Sequence, residues 1–449
     1  MLENKTDGFL EILNRIRREE VRPEDIHTVR RCLLDYLGAT VGGSVLLGER
    51  GATVLDSLDS SGGCSVIGYG RSASQMTAAF VNGLSSHTAE LDDGVISGII
   101  HPGAPVFSAL LAVAEEKSVE FKDFCRGVLI GYEASVRLAN AIQPSHKKLG
   151  YHASATCGLI GAALGIAAML GYGEKSFHDT FCVAAASSHG TLKVLEDDSE
   201  LKPFNIATAA SDGLIAAVMG KVGFTGPLDP LEGYAGFMAQ FTAEANYEEL
   251  YRERDLCIND VYVKPYAACR YVHPTIENAL RIIGERTIDP AEISSVDIRT
   301  YSLAVKNHDH TVVNNISSAK MSIPFGAAVA FVNGTGGIEA YTDITVSDER
   351  IKALMRKVSV MADAECSAMF PDRSMAYMTV KMRDGNVYEA FTDQPKGEST
   401  APLTDDELIE KFRSLARYAG MTEHNAEAII REIFSYVPDI KTILRIMRK

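Results

Sequence analysis

Apolar residues recur at three- and four-residue intervals through most of the first half of the chain, the spacing of amphipathic helices. The pattern predicts helices over 6–19, 23–41, 74–87, 105–117, 120–141, 153–171, 174–188 and 204–221. The second opens on Pro23-Glu24-Asp25, a helix-start sequence. A Gly/Ser-rich passage, SSGGCSVIGYGRSAS, interrupts the series before residue 74. Alanine and glycine crowd the middle helices, which lets helix backbones approach closely. Near residue 259 the period changes. VYVKPY reads as a short strand, 274–285 and 323–332 as helices, and 294–301 as an alternating strand. Runs at 375–382 and 387–390 flank Asp384-Gly385, a hairpin signal because that pair readily supplies positive φ. From Pro402 the chain is helical again, with Thr404 and Glu407 spaced as a capping box. The expected fold is mainly α: a large all-helical domain built from both chain ends (1–258 and 399–449) around a smaller α+β lid domain (259–398).

Composition narrows the function. With 46% apolar and 23% charged residues in 449, the chain reads as a soluble globular enzyme. A net charge of −15 without a long basic run argues against nucleic acid as a partner. An acidic protein that handles an acidic substrate needs a local basic pocket, so Lys, Arg and His set among apolar residues carry information. The eight cysteines are scattered without a CxxC pair, the usage of a reducing, cytoplasmic compartment. The N-terminal twenty residues carry acids throughout and do not form a signal peptide. Residues 153–171 hold no charge, but they are Ala and Gly more than Leu, Ile and Phe. A packed central helix is expected there, not a membrane span.

Four stretches offer chemistry. HTAELDDGVISGIIHPGAP, from His87 to Pro105, packs Glu90, Asp92 and Asp93 between apolar runs, with His101 following. Crowded charges between core segments are costly unless paired or used. A carboxylate beside a histidine suits general acid–base work. Asp92 and Asp93 could instead hold a hard cation, but no DxD or ExxH spacing accompanies them, and no metal is expected. The second stretch, Lys147 to His152, ends at the start of the uncharged helix, where anions are favoured. In the third, Lys202-Pro203 opens an Ala-rich helix, placing an ammonium beside free backbone N–H groups. The fourth, KPYAACRYVHP, brings Lys264, Arg270 and His273 together at the junction of the two domains. Cys269 lies among them but has no assigned base, and the His308–His310 HDH sits in a polar loop-like run. No Walker loop, GxGxxG, GxSxG or HExxH occurs.

HTAELDDGVISGIIHPGAPVFSALLA, GYHASATCGLIGAALGIAAMLG, LKPFNIATAASDGLIAAVM, GFTGPLDPLEGYAGF and KPYAACRYVHPTIENA, in that order, resemble the successive signatures of the MmgE/PrpD family. The family's activities include 2-methylcitrate dehydration, cis-aconitate decarboxylation and iminodisuccinate epimerisation. The resemblance implies a helical domain with a lid, a homodimer, and no metal or organic cofactor. It also implies that the acidic cluster, His101, His152, Lys202, Lys264 and His273 line a pocket for a small di- or tricarboxylate. Three positions depart from the pattern: Glu90 stands where an Asp is usual, Gly94 for a Thr, and Phe325 for a Tyr. These departures point away from cis-aconitate decarboxylation and leave the substrate open.

The shared step would be proton removal next to a carboxylate. His101, oriented by Asp93 or Glu90, is expected to move the proton, while His152 acts as second acid–base or protonates the leaving hydroxyl, and Lys202 holds a carboxylate of the substrate. Lys264, Arg270, His273, Asp92 and Phe325 are expected to contact the substrate. Loss of a β-hydroxyl makes the reaction a dehydration; reprotonation on the other face makes it an epimerisation. A non-catalytic helical binding protein is the remaining alternative, and exchange of the α-proton in D₂O would separate it from both.

Overall fold

The computed structural model describes residues 4–448 apart from 59 and 197; the first three residues of the N-terminal segment and Lys449 lie outside it. Helices of eight residues or more are, in order, α1 (Lys5–Arg18), α2 (Pro23–Ser57), α3 (Gln75–Thr88), α4 (Gly103–Lys117), α5 (Phe121–Ile142), α6 (Ala153–Met169), α7 (Glu174–Ser187) and α8 (Lys202–Val222), then α9 (His273–Glu285), α10 (Ile323–Asn333), α11 (Asp405–Tyr418), α12 (Glu423–Ile433) and α13 (Ile440–Met447). The fold is mainly α, as the periodicity indicates. Every residue of α6 is buried, and it packs between α5 and α8. Among the described residues no helix is long and apolar enough to cross a membrane.

The Gly/Ser-rich passage is a small hairpin, β1 (Cys64–Val66) with β2 (Arg71–Ala73). A four-stranded sheet follows in the second part of the chain: β3 (Ile293–Thr300), β4 (Val358–Ala362), β5 (Ala376–Met382) and β6 (Val387–Thr392), in the order β4-β3-β5-β6. β4 runs parallel to β3 and the other pairings are antiparallel. Gly385, at φ +91°, makes the turn into β6. Ile293, Val296 and Ile298 of β3 bury their side chains with those of α9 and α10 in one core.

Three expectations need correction. α2 does not end near Val41 but continues to Ser57, bending at Gly48 (φ +49°). The Gly42-Gly43 pair that follows Val41 is a contact: a Cβ on Gly43 would lie 1.8 Å from the Ser85 carbonyl oxygen of α3. VYVKPY is not a strand, because Pro265 cannot donate to a ladder. Only Tyr262 pairs, with Gly94, while the Lys264 side chain runs into the interior. β4 was not anticipated at all; five residues with one buried position carry too little pattern.

The C-terminal helices return to the start of the chain. Leu408 and Phe412 of α11 and Ile429 of α12 share a core with Val29, Leu33 and Leu37 of α2. Backbone bonds from Gly68 N–H to the Met447 carbonyl (3.0 Å) and from Gly70 N–H to the Arg448 carbonyl (2.6 Å) fasten the last turn to the hairpin.

Candidate active site

The loop between α3 and α4 is organised by buried charge. Glu90 is held at φ +53°, a left-handed conformation that costs an ordinary side chain about 1–3 kcal/mol. What offsets it is visible: the carboxylate reaches between two ammonium groups, an ion pair to Lys202 and a 3.0 Å bond to Lys264. Although burial opposes ionisation, Lys202, Lys264 and His87 hold the Glu90 carboxyl well below the usual range. Asp92 accepts from His87 Nδ1 at 2.7 Å and lies 3.8 Å from Lys264 Nζ. Lys264 is therefore fully buried between two carboxylates.

His101 lies in front of this network, and a main-chain group fixes its tautomer. Nδ1 is 2.6 Å from the Asp93 carbonyl oxygen. A carbonyl only accepts, so Nδ1 carries the proton and Nε2 a lone pair. The backbone N–H of His101 donates to Ser154 Oγ in the first turn of α6 (2.9 Å). Burial pushes the imidazolium pKa down to about 3, so the ring is a neutral base at ordinary pH.

His152, the residue before α6, has the opposite tautomer. Asn205 of α8 donates one amide N–H to the Thr191 carbonyl (3.2 Å) and another toward His152 Nδ1 (3.1 Å). Nδ1 therefore accepts, and the proton is on Nε2. Burial, then Lys202, keeps this ring neutral too. One histidine offers a lone pair and the other an N–H.

Two cavities share Lys202, Leu195 and Met321 in their linings. The outer, of about 460 Å³, is lined by His87, Glu90, Lys202, Pro203, Lys320 and Asn314. The inner, of about 90 Å³, is lined by His101, His152 and Ala153 together with Cys269, Tyr271 and His308. Neither α6 nor α8 has a side-chain cap at its N-terminus, and both helix starts border these cavities. Free first-turn N–H groups and the positive ends of two helix dipoles favour an anion there. Lys147 adds to them: its Nζ lies 2.8 Å from the Tyr271 hydroxyl, and burial brings its pKa down to about 8.

His87, Asp92 and His101 place potential ligand atoms within 4.8 Å of one another. The donor set fits a metal poorly. Both Nδ1 atoms carry protons given to oxygen, and the Lys264 ammonium already stands 3.8 Å from Asp92.

The MmgE/PrpD N-terminal domain model matches residues 9–250, and the MmgE/PrpD C-terminal domain model matches residues 266–435. The chain belongs to the MmgE/PrpD family. The cis-aconitate decarboxylase-like protein oryM of Aspergillus oryzae (strain ATCC 42149 / RIB 40) is 25% identical over 430 residues, covering 88% of this chain and 88% of its own length. Human cis-aconitate decarboxylase is 23% identical over 439 residues (93% and 88%), and the mouse enzyme 22% over 433 (93% and 87%).

Within this MmgE/PrpD chain, the structure brings His101, His152, Lys202 and Glu90 together but revises other expectations. Asp93 orients His101 through its carbonyl, not its carboxylate, which receives the Tyr132 hydroxyl and the Gly103 N–H (3.0 Å). Lys264 and Asp92 are partners inside the charge network, closed to a substrate. Arg270 reaches the inner wall, but its donors go to Glu398 (2.8 Å), the Pro395 and Lys396 carbonyls and His273 Nδ1 (2.9 Å). His273, also bonded to the Ala268 carbonyl, is consumed in the same way. Phe325 packs against Tyr341 in the α10 core and borders neither cavity. Gly94 is explained locally: a Cβ there would lie 2.2 Å from the Tyr262 hydroxyl, and Tyr262 sets its ring edge-on to His101. Three participants went unread: His87, Lys320, whose Nζ donates to the Thr88 carbonyl (2.8 Å), and the presence of Cys269 and His308 in the lining of one cavity. The first opens the acidic stretch and was open to notice; the others depend on distant segments meeting.

Proposed function

We propose that this protein is a lyase that removes the proton α to a carboxylate of a small di- or tricarboxylic acid and expels a β-hydroxyl as water. The observation that carries this reading is the opposed pair of tautomers in one cavity. His101 Nε2 takes the proton; His152 Nε2–H faces the same space and donates to a carboxylate oxygen as enolate charge develops. Lys202 and the two helix starts hold the charge, as preorganised donors do at a developing oxyanion. The low pKa of His101 keeps its lone pair free, and the ion-paired Glu90 keeps Lys202 in place. The decarboxylase relatives support the polycarboxylate class and lyase chemistry, at identities too low to transfer a substrate.

Incubation in D₂O with citrate-, tartrate- and aspartate-like acids tests the reading. Deuterium at Cα together with a new ultraviolet-absorbing double bond is expected. Exchange with inversion and no absorbance would replace dehydration by epimerisation, a reading that the thiol in the same cavity keeps in play. His101→Gln should lower turnover by about 10²–10⁴-fold.

We also propose that the chain acts as a dimer in the cytoplasm. Phe204, Ile215, Val218 and Val222 form an exposed apolar stripe at helical spacing along α8, and a second copy is its natural cover. All eight cysteines are free, which fits a reducing compartment. Light scattering should give twice the chain mass, and Val218→Glu should halve it.

A further inference from the structure

The lid-side wall of the inner cavity carries a group that the scheme above does not use. Cys269 is partly open while the other seven cysteines are buried. Its backbone is fixed on both sides: its N–H donates to the Lys320 carbonyl and its carbonyl accepts from Val272, both at 2.9 Å. His308 lines the same wall. Its Nδ1 is 2.8 Å from the Lys306 carbonyl and so carries the proton there, leaving Nε2 as an acceptor. Its own carbonyl accepts from Ile323 N–H (2.8 Å), and the edge of its ring meets Tyr271 at 5.3 Å. A fixed thiol and a fixed imidazole thus line the cavity that His101 also lines.

We propose that Cys269, paired with His308, is the second proton-transfer residue of this enzyme and protonates the leaving hydroxyl from the lid side. The inference rests on the lyase reading. The steps balance: His101 Nε2 takes the α-proton, the C–H electrons form the C=C bond, and the C–O bond breaks toward the hydroxyl. The S–H proton of Cys269 goes to that oxygen, releasing water and leaving a thiolate. The His101 imidazolium then loses its proton to solvent and the thiolate regains one. A thiol does this only if both its forms are accessible near neutrality. Burial alone would raise its pKa, but His308 and then Lys202 bring it down to about 6.

Two measurements test the role. Iodoacetamide labelling followed by peptide mass analysis should modify Cys269 first, with a rate that rises near pH 6 in the wild type and at least one pH unit higher in His308→Asn; citrate should slow it. In D₂O, Cys269→Ser should retain α-proton exchange by His101 while losing at least 100-fold in product formation; His101→Gln should lose both. Labelling of Cys269 at the pH of an ordinary thiol, or product formation by Cys269→Ser at the wild-type rate, overturns the proposal. If His101→Gln still exchanges, or the wild type exchanges no acid, the lyase reading itself fails and this role for Cys269 goes with it.

Discussion

Asp93→Asn isolates one buried proton. The carboxyl lies beneath the loop, bonded to Tyr132 and to the Gly103 N–H, and desolvation raises its pKa from 3.8 to about 7. The folded state therefore holds this proton between about pH 4 and 7, where the unfolded chain has released it. With more protons on the folded side, stability falls as pH rises through that window. Between pH 5 and pH 8 the group costs the wild type about 2.5 kcal/mol of stability at 1.36 kcal/mol per pKa unit. Asn has the same shape, cannot ionise and still accepts from Gly103. Any fixed cost of presenting an amide to Tyr132 appears at both pH values and cancels in the comparison. At about 2.1 cal/mol/K per residue, 449 residues have an unfolding entropy of roughly 0.9 kcal/mol/K. Asp93→Asn should therefore gain about 3 °C in Tm relative to wild type on moving from pH 5 to pH 8. Scanning calorimetry of both proteins at the two pH values decides it. Parallel pH dependences would show that Asp93 is ionised when folded, and the reasoning about its burial would fall. Activity should survive the change, because His101 is oriented by the carbonyl of residue 93.

Other consequences are open to direct measurement. Because the His101 base has its pKa lowered to about 3, kcat/KM should not fall from pH 7 down to pH 5, and should rise as the Cys269 thiol, at about 6, becomes protonated; a fall on the acid side centred near 6.5 would contradict the burial argument. Burial lowers Lys320 to about 7, and a bound polycarboxylate in the adjoining cavity should restore its charge. Calorimetric titration of citrate at pH 8 in two buffers of different ionisation enthalpy should report proton uptake, lost in Lys320→Met. Lys264→Met strands Glu90 and Asp92 beside fewer cations and should destabilise by about 3–5 kcal/mol, with Glu90→Gln recovering part of the loss in chemical denaturation. Gly94→Thr should cost about 1–3 kcal/mol by crowding Tyr262, and Tyr262→Ala in the same chain should relieve it.

The helices were legible because burial imposes the 3.6-residue period on sequence, and α3 to α8 fall close to their expected spans. Lys202 was legible too, since Lys-Pro ahead of an Ala-rich helix has a local meaning. What failed was everything decided by distant partners. Lys264, Arg270 and His273 stood out in the sequence, yet a cation among aromatics looks alike whether it awaits a substrate or already holds Glu90 or Glu398. His308 is separated from Cys269 by a helix and a strand, so no spacing could have paired them. The continuation of α2 past Val41 was not legible, because glycine in contact with a neighbouring backbone leaves the same mark in sequence as a flexible joint.

The return of α11, α12 and α13 to α2 bears on how the molecule is made. The hydrophobic face of α2 leaves the ribosome early, but Leu408, Phe412 and Ile429, which cover it, are translated some 350 residues later. At about 5–20 residues per second that is a wait of roughly 20–70 s. Throughout this interval the nascent chain presents a greasy seam that only its own tail can seal. Synthesis in the presence of a holdase chaperone should therefore raise the soluble yield, and a stop codon before Thr404 should send the product into aggregates.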